Sequence, residues 1–257
     1  MSLLACYAIL QYAGHEFAGW QRQPRARTVQ GEVERVLERL TSHRVVTHAA
    51  GRTDAGVHAL GQVVSFRVPT SWRPADLRRA LNALLPDDIW VADVGEAPDG
   101  FHARRDAEAR RYRYVVGCDA AAFSPFRRPY EWALGYALDG LALAAAARAL
   151  PGEHDFRSFS AVGQRKPHYR CRIALAEWSE RDGGQGYIFT IEADRFLHRM
   201  VRFLVGAMVD IGRARRPAED MERLLTHRDN REASAPAPPG GLYLVQARYP
   251  RLNLGTV

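Results

Sequence analysis

Lysine is almost missing from this sequence of 257 residues: it occurs once, at Lys166, although lysine and arginine together number 36. The basic residues exceed the 29 acidic ones and give a formal charge of +7, a surplus that often marks a polyanionic partner. The planar guanidinium of arginine binds phosphate through two parallel hydrogen bonds and stacks on bases. The preference for arginine over lysine therefore favours nucleic acid as the partner. A genome rich in arginine codons would explain the scarcity of lysine but not the net charge.

Cysteine is scarce as well. Cys6, Cys118 and Cys171 are widely separated and have no C-x-x-C spacing, which is typical of reduced thiols in a cytoplasmic protein. No apolar run approaches the roughly 18 residues of a membrane span. The first residues also lack the basic region and cleavage site of a signal peptide. We therefore expect a cytoplasmic protein with no membrane partner.

The sequence also lacks the usual motifs for metals, nucleotides and paired carboxylates. Its nine histidines form no H-E-x-x-H motif, no Cys/His cluster has zinc spacing, and no glycine-rich phosphate loop is present. These absences predict neither a metal nor a cofactor. A glycosidase needs two facing carboxylates and an aspartic protease needs a pair that shares a proton.

What is present is a single carboxylate, Asp54, in the glycine-bracketed stretch "GRTDAGVH" of residues 51–58. Arg52 precedes it by two residues. Because aspartate and glycine are common turn formers, the octapeptide alone leaves a purely structural role for Asp54 open. Perturbed carboxylates serve structure as often as catalysis.

Hydrophobic patterning predicts an α+β fold. Thr28 is suited to cap a helix whose apolar residues recur on one face, and "RDGGQG" separates two strands of a hairpin. Hydrophobic residues make up 47% of the chain, enough for two modest domains, which we place at residues 1–104 and 105–257. Strands are expected near 4–12, 62–68, 89–94, 110–116, 169–178, 187–193 and 242–249, and helices near 29–40, 75–85, 138–150, 195–211 and after Pro217.

Two segments combine basic with apolar or aromatic residues. Within the predicted helix 195–211, Arg195, His198, Arg199 and Arg202 follow the spacing i, i+3, i+4 and i+7, which predicts one basic stripe. The other faces are apolar, so we expect the stripe to face a cleft instead of open solvent. In "RRYRY", arginine and tyrosine alternate along a strand, and Tyr112 could pack in the core or stack on a base.

Further basic positions would suit phosphate contacts with a nucleic acid. They are Arg110, the segment 126–130 with "FRRPY", and the segment 163–170 with "GQRKPHYR". Each is weak evidence on its own, because exposed loops are often basic for solubility.

Seven sequence blocks resemble the tRNA pseudouridine synthase A family. They occur in the same order as in the family and extend across essentially the whole chain. The block "GRTDAGVHALGQVVSF" is similar to the family's signature around its catalytic aspartate. The first loop, "YAGHEFAGW", departs from the family's usual Asp-Gly-Thr type of sequence and puts local loop or RNA contacts in question. The other blocks are "FAGWQRQPRARTVQGEVE", "LNALLPDDI", "FHARRDAEARRYRY", "GEHDFRSF", "FLHRMVRFLVG" and "APPGGLYL".

The resemblance implies an isomerase that converts uridine to pseudouridine at nucleotides 38 to 40 of the tRNA anticodon stem-loop. It implies no cofactor, a homodimer that binds tRNA across both subunits, and two similar halves with a mainly antiparallel sheet and flanking helices around a basic cleft. By motif position, Asp54 would be the essential carboxylate, Arg52 would contact RNA, and Arg202 would pair with Asp54. Tyr112 would stack on the target base and Leu244 would line the pocket.

Elementary chemistry is compatible with these roles. The carboxylate could attack C1′, attack C6 or take the C2′ proton, and the sequence does not choose among the three. A facing guanidinium would favour the charged form of Asp54, and Tyr112 could offer a ring to an extruded uracil and accept the C5 proton. Rival hypotheses are a non-catalytic RNA-binding protein, a ribonuclease and an N-glycosidase.

Overall fold

The computed structural model describes residues 2–161, 168–252 and 254. Most of the predicted basic segment 163–170 therefore lies outside the described residues. Within them, the chain forms ten strands and five α-helices, and most of the paired strands are antiparallel. The predicted mixture of helices and mainly antiparallel strands is confirmed.

Contacts group the chain into two compact units. Unit 1 comprises Met1–Arg110 together with Tyr243–Val257, and unit 2 comprises Arg111–Leu242. These units differ from the predicted domains, residues 1–104 and 105–257, mainly in the placement of the last strand. The division into domains stays a prediction.

Unit 1 is built on an antiparallel sheet. β1 (Leu3–Tyr12) lies between β4 (Ile89–Glu96) and β3 (His58–Pro69), and the short β2 (His48–Ala49) also pairs with β3. The last strand, β10 (Leu242–Arg248), runs parallel to the beginning of β3. The chain end thus returns to the point where β3 leaves the "GRTDAGVH" loop.

Two helices belong to unit 1, α1 (Val29–Thr41) and α2 (Pro74–Leu84). The Thr28 hydroxyl caps α1 by accepting the N–H of Gly31 over 3.2 Å, as the sequence predicts. The apolar positions of α1 are buried with those of α2, and each helix presents one apolar face. The buried set consists of Val29, Val33, Val36, Leu37, Leu77 and Leu81.

A second buried cluster of unit 1 fixes the chain just before the loop. Ala50 packs in it with Val63 of β3, Ala103 and Tyr249. The Tyr249 hydroxyl donates to the Ala103 carbonyl over 2.7 Å, so the C-terminal residues are tied to the segment that precedes β5.

Unit 2 contains most of β5 (Ala109–Gly117) and has the strand order β5-β9-β8-β7. β8 (Arg170–Glu180) and β9 (Gly186–Ala193) form the predicted hairpin, and β7 (Gly152–Asp155) pairs with β8. β6 (Trp132–Ala133) runs parallel to β5. The helices are α3 (Gly140–Ala147), α4 (Met200–Gly212) and α5 (Asp220–His227).

The predicted start of the helix 195–211 is wrong. α4 begins at Met200, after Arg199 in the left-handed conformation with φ of 61°. Arg195 and His198 therefore precede the helix, and the predicted stripe retains only Arg202 on it. The left-handed conformation of Arg199 interrupts the right-handed helical path, so the helix cannot extend back to residue 195.

Candidate active site

The Asp54 loop, residues 50–57, connects β2 to β3. Its turn is closed by the Val57 N–H, which donates to the Asp54 carbonyl over 3.2 Å, and Gly56 has a positive φ of 79°. The Asp54 side chain is half-buried and Arg52 is exposed. A carboxylate is thus held at the boundary between protein and solvent, on a short segment of backbone.

The segment that follows β1 packs directly on this loop. Trp20 N–H donates to the Thr53 carbonyl over 3.0 Å, and Gly56 N–H donates to the Phe17 carbonyl over 3.3 Å. Gly19 has a positive φ of 97°, and a Cβ there would lie 2.7 Å from the Thr53 oxygen. The backbones approach so closely that only glycine fits at this point.

Buried uncharged side chains form hydrogen bonds with the interior side of the loop. Tyr12 and Thr53 share a hydroxyl–hydroxyl hydrogen bond of 2.8 Å. Gln62 donates through Nε2 to the Gly51 carbonyl over 2.6 Å and to the Tyr12 oxygen over 3.3 Å. Burial raises the pKa of Tyr12 to about 12, although its hydrogen bonds with Thr53 and Gln62 act in the opposite direction. Tyr12 is therefore a neutral hydroxyl at physiological pH.

His58, the last residue of the octapeptide, joins three segments of unit 1. Its side chain is buried, its Nδ1 accepts the N–H of Gly14 over 3.0 Å, and its ring stacks on Tyr243 with centroids 4.8 Å apart. Because Nδ1 accepts, the bond requires an imidazole whose Nδ1 carries no proton. A Cβ at Gly14 would meet the Val57 carbonyl oxygen at 2.0 Å, so the contact leaves no room for a side chain.

Arg110 supports the other end of the loop. Its Nε and Nη2 donate to the Ala50 carbonyl over 3.2 and 3.1 Å, and Nη1 donates to the Ala107 carbonyl over 2.9 Å. The sequence suggested Arg110 as a phosphate contact, whereas the structure places its guanidinium on backbone carbonyls. The residue therefore positions the loop.

Leu244 lies beside the end of the Asp54 loop. It is fully buried in β10 and pairs with Ala59, while its neighbour Tyr243 pairs with His58. Arg52, Asp54 and Leu244 thus belong to unit 1 and lie on segments joined by the β3–β10 pairing. The role of Leu244 in a pocket stays a prediction.

Tyr112 and Arg202 belong to unit 2. Tyr112 is buried in β5, and its ring meets that of Phe196 edge-on at 4.9 Å. Arg202 is in the first turn of α4, where its Nε donates to the Ala237 carbonyl over 2.7 Å. Ala237 N–H in turn donates to the Arg202 carbonyl over 2.9 Å. Both side chains are held by their own unit.

Tyr114 was not predicted as part of the site. It is fully buried, and its hydroxyl donates to the Pro238 carbonyl over 2.7 Å, beside the residue that binds Arg202. Burial raises the pKa of Tyr114 well above its ordinary value, and the Arg202 charge acts against that shift. Its hydroxyl keeps its proton and fixes the 237–241 segment.

Tyr12, Gly14, Gln62, His58 and Arg110 are the supporting residues that sequence reasoning missed. His58 is the last residue of the octapeptide 51–58, and for Arg110 the sequence favours a different role, a phosphate contact. The others carry no local signal, since their partners are far away in sequence.

In residues 2–161, 168–252 and 254, no group of three or more His, Cys, Asp or Glu side chains is placed to hold a metal ion. Over the same residues, none of the helices has the length and apolar character needed to cross a membrane.

The amino-acid sequence matches a family of known proteins. A family model described as tRNA pseudouridine synthase matches residues 8–106 and 146–250. The chain is 43% identical over 246 residues to the tRNA pseudouridine synthase A of Moorella thermoacetica, covering 93% of this chain and 97% of that relative. It is 41% identical over 242 residues to the protein of the same name from Pseudothermotoga lettingae, covering 92% and 96%.

Against solved structures, a chlorite dismutase from Candidatus Nitrospira defluvii aligns at 13% identity and a TM-score of 0.23, covering 87% of this chain and 95% of that one. A likeness this low carries no argument about fold. The sequence matches are extensive, and the chain belongs to the tRNA pseudouridine synthase family.

Proposed function

We propose that this chain isomerises uridine to pseudouridine at nucleotides 38 to 40 of the tRNA anticodon stem-loop, with Asp54 as the essential carboxylate. The observation that carries the proposal is the family match, whose first matched range, residues 8–106, includes the whole Asp54 loop. The geometry supports it, because a half-buried carboxylate on a firmly held turn is suited to act on a bound nucleotide.

The reaction conserves every atom. The bond between C1′ and N1 breaks, the uracil turns while it stays bound, and C5 bonds to C1′. The C5 proton then leaves and N1 gains a proton, so neither an oxidant nor a reductant is required. Asp54 would begin the sequence by attacking C1′, attacking C6 or taking the C2′ proton, and each of these steps needs the ionised carboxylate.

The other site residues have distinct roles in the proposal. Arg52 is exposed beside Asp54 and contacts the RNA. Arg202 pairs with Asp54, and Tyr112 stacks on the extruded uracil. Leu244 provides an apolar wall, consistent with its burial in the strand next to the loop.

The same proposal includes the larger organisation. The chain has two similar halves, residues 1–104 and 105–257, around a basic cleft that holds tRNA, and it acts as a homodimer without a cofactor. A cytoplasmic location agrees with three cysteines that form no disulfide. The excess of arginine over acidic residues supports a polyanionic substrate.

The direct test is release of tritium from tRNA labelled at C5 of uridine. Wild-type protein should release the label, and carbodiimide treatment with primer extension should mark only nucleotides 38 to 40. A tRNA transcript with cytidine at those three positions is the matched control and should release nothing above background.

Other products would contradict the proposal. Free uracil would indicate an N-glycosidase, and shortened RNA would indicate a ribonuclease. Tight tRNA binding without any tritium release would favour a non-catalytic RNA-binding protein on the same scaffold.

A further inference from the structure

The aromatic loop, residues 119–135, carries a side chain that the proposed chemistry does not use. Phe126 is 87% exposed, the most exposed large hydrophobic residue in the described part of the chain. Phe123 and Tyr130 in the same loop are exposed as well. Exposed apolar groups that cluster on a protein often mark a binding surface.

The loop is held firmly in spite of this exposure. Arg127 donates to both carboxylate oxygens of Asp119, over 2.8 and 2.9 Å, and its Nε lies 2.8 Å from a carboxylate oxygen of Glu131. Glu131 is buried and accepts a hydrogen bond from Arg181 over 2.5 Å. Phe126 therefore projects from a braced turn and loses little conformational freedom when it binds a partner.

The two arginines that follow Phe126 are used differently. Arg127 forms ion pairs with Asp119 and Glu131 inside the loop, whereas Arg128 is exposed. An aromatic ring and a guanidinium thus lie two residues apart on the outside of one turn. This is the pair of groups that binds an unstacked base together with a neighbouring phosphate.

The loop contacts the segment that holds Arg202. A Cβ at Gly240 would lie 2.9 Å from the Pro129 carbonyl oxygen, so the two backbones touch. Three residues earlier, Ala237 exchanges hydrogen bonds with Arg202. Within unit 2, the braced turn and the arginine proposed to pair with Asp54 therefore rest on the same short segment.

We propose that Phe126 and Arg128 form a second RNA contact, in which Phe126 stacks on an unpaired nucleobase of tRNA outside the target pocket and Arg128 binds an adjacent phosphate. This inference rests on the proposed function for the identity of the RNA. It assigns the exposed aromatic side chain to substrate affinity, separate from the groups that act on the target uridine.

Charge favours RNA over a second protein chain as the occupant. A second copy of this chain would bring an equally exposed Arg128 and the same positive net charge to the surface, so like charges would oppose its binding. The chain as a whole carries a formal charge of +7, which is complementary to a polyanion.

The test compares equilibrium binding of unmodified tRNA in an Asp54→Asn background, so that the RNA stays unchanged. Phe126→Ala should weaken binding by about 5- to 150-fold, the range found for loss of one base–aromatic stack, while Phe126→Trp should keep it within about two-fold. Arg128→Gln should weaken binding and lower the slope of log K against log salt by about one.

The matched control is Leu141→Ala, which removes an equally apolar side chain that is 84% exposed in the same unit and should leave binding unchanged. Sedimentation analysis accompanies each variant. The proposal is overturned if Phe126→Ala binds like its parent, if Leu141→Ala loses as much affinity, or if Phe126→Ala turns a dimer into a monomer, since the surface would then bind a second copy. Tritium release by wild type tests the isomerase independently of these comparisons.

Discussion

The Asp54 loop and the aromatic loop are both held firmly, but by different kinds of interaction. The Asp54 loop is fixed mainly by buried uncharged groups: Tyr12 and Gln62 bond to the loop, and His58 bonds to the segment packed on it. The Arg110 guanidinium adds hydrogen bonds to the Ala50 carbonyl at one end. The aromatic loop is fixed by ion pairs, in which Arg127 and Arg181 meet the buried Glu131. Neutral hydrogen bonds in a dry interior hold a group in one geometry and respond little to salt.

This difference suggests a division of labour. A carboxylate that reacts must be placed within fractions of an ångström, and the interior bonds around the Asp54 loop provide such placement. A surface that binds a flexible polyanion needs exposed groups on a stable turn, and bracing by partly exposed ion pairs leaves Phe126 and Arg128 outside. Single substitutions in and around the two loops test that division.

Asp54→Asn should lower tritium release by on the order of 10⁴-fold, because the amide has nearly the same shape but no negative charge or basic oxygen. Binding of tRNA should change little. Asp99→Asn, which alters a fully exposed carboxylate in the same unit, should remain active. Equal activity of the Asp54 variant and wild type would remove the Asp54 loop from the chemistry.

Gly14→Ala should destabilise the protein by about 3 kcal/mol, since the new Cβ would overlap the Val57 carbonyl oxygen at 2.0 Å and push the two segments apart. Urea unfolding measures this change. Gly100→Ala is the control, because a Cβ at Gly100 would have open space around it. Only the positive φ of 76° opposes this substitution, and we expect it to destabilise the protein by about 1 kcal/mol. If both variants lose the same stability, close packing at Gly14 is not what secures the loop.

Glu131→Gln should destabilise the protein by about 2 kcal/mol, because two arginines would then face each other across a buried amide. This loss of stability is smaller than the loss expected for a fully buried ion pair, since both arginines are partly exposed. Added salt should recover part of the loss by screening the two charges. Glu177→Gln, on the exposed side of β8, should unfold like wild type at every salt concentration.

Tyr12→Phe should cost about 1 kcal/mol near pH 8, where the hydroxyl is neutral and bonded to Thr53 and Gln62. The folded pKa of about 12 lies above the ordinary value near 10, so this part of the stability is present below about pH 10 and is lost as the pH rises through about 12. The gap between wild type and variant should therefore close near pH 11 in urea unfolding. A constant gap would show that the Tyr12 hydroxyl ionises alike in both states.

Local signals in the sequence were sufficient for much of the fold. The Thr28 cap and the helical spacing that follows it predicted α1, and "RDGGQG" predicted the hairpin of β8 and β9. Both features depend on residues close in sequence, where propensity and turn chemistry dominate.

Long-range contacts explain what sequence reasoning missed. The bond between Gly14 and His58 joins residues 44 positions apart, and nothing in either local pattern indicates it. Arg199 adopts a left-handed conformation that helical periodicity does not reveal, so the start of α4 was placed too early. The roles of Asp54, Arg52, Tyr112, Arg202 and Leu244 came from the family resemblance and stay predictions.

The division of labour is tested most directly by measuring single-turnover tritium release at saturating enzyme beside tRNA affinity, for His58→Leu, His58→Asn and Phe126→Ala. The account predicts that His58→Leu lowers the rate by about 10- to 100-fold at unchanged affinity, because residue 58, which directly follows the Asp54 loop, loses its bond to Gly14. His58→Asn should recover much of the rate, since its Oδ1 can accept that N–H, and Phe126→Ala should lower affinity alone. A His58→Leu variant that loses affinity at full rate, or a Phe126→Ala variant that loses rate at full affinity, would contradict it.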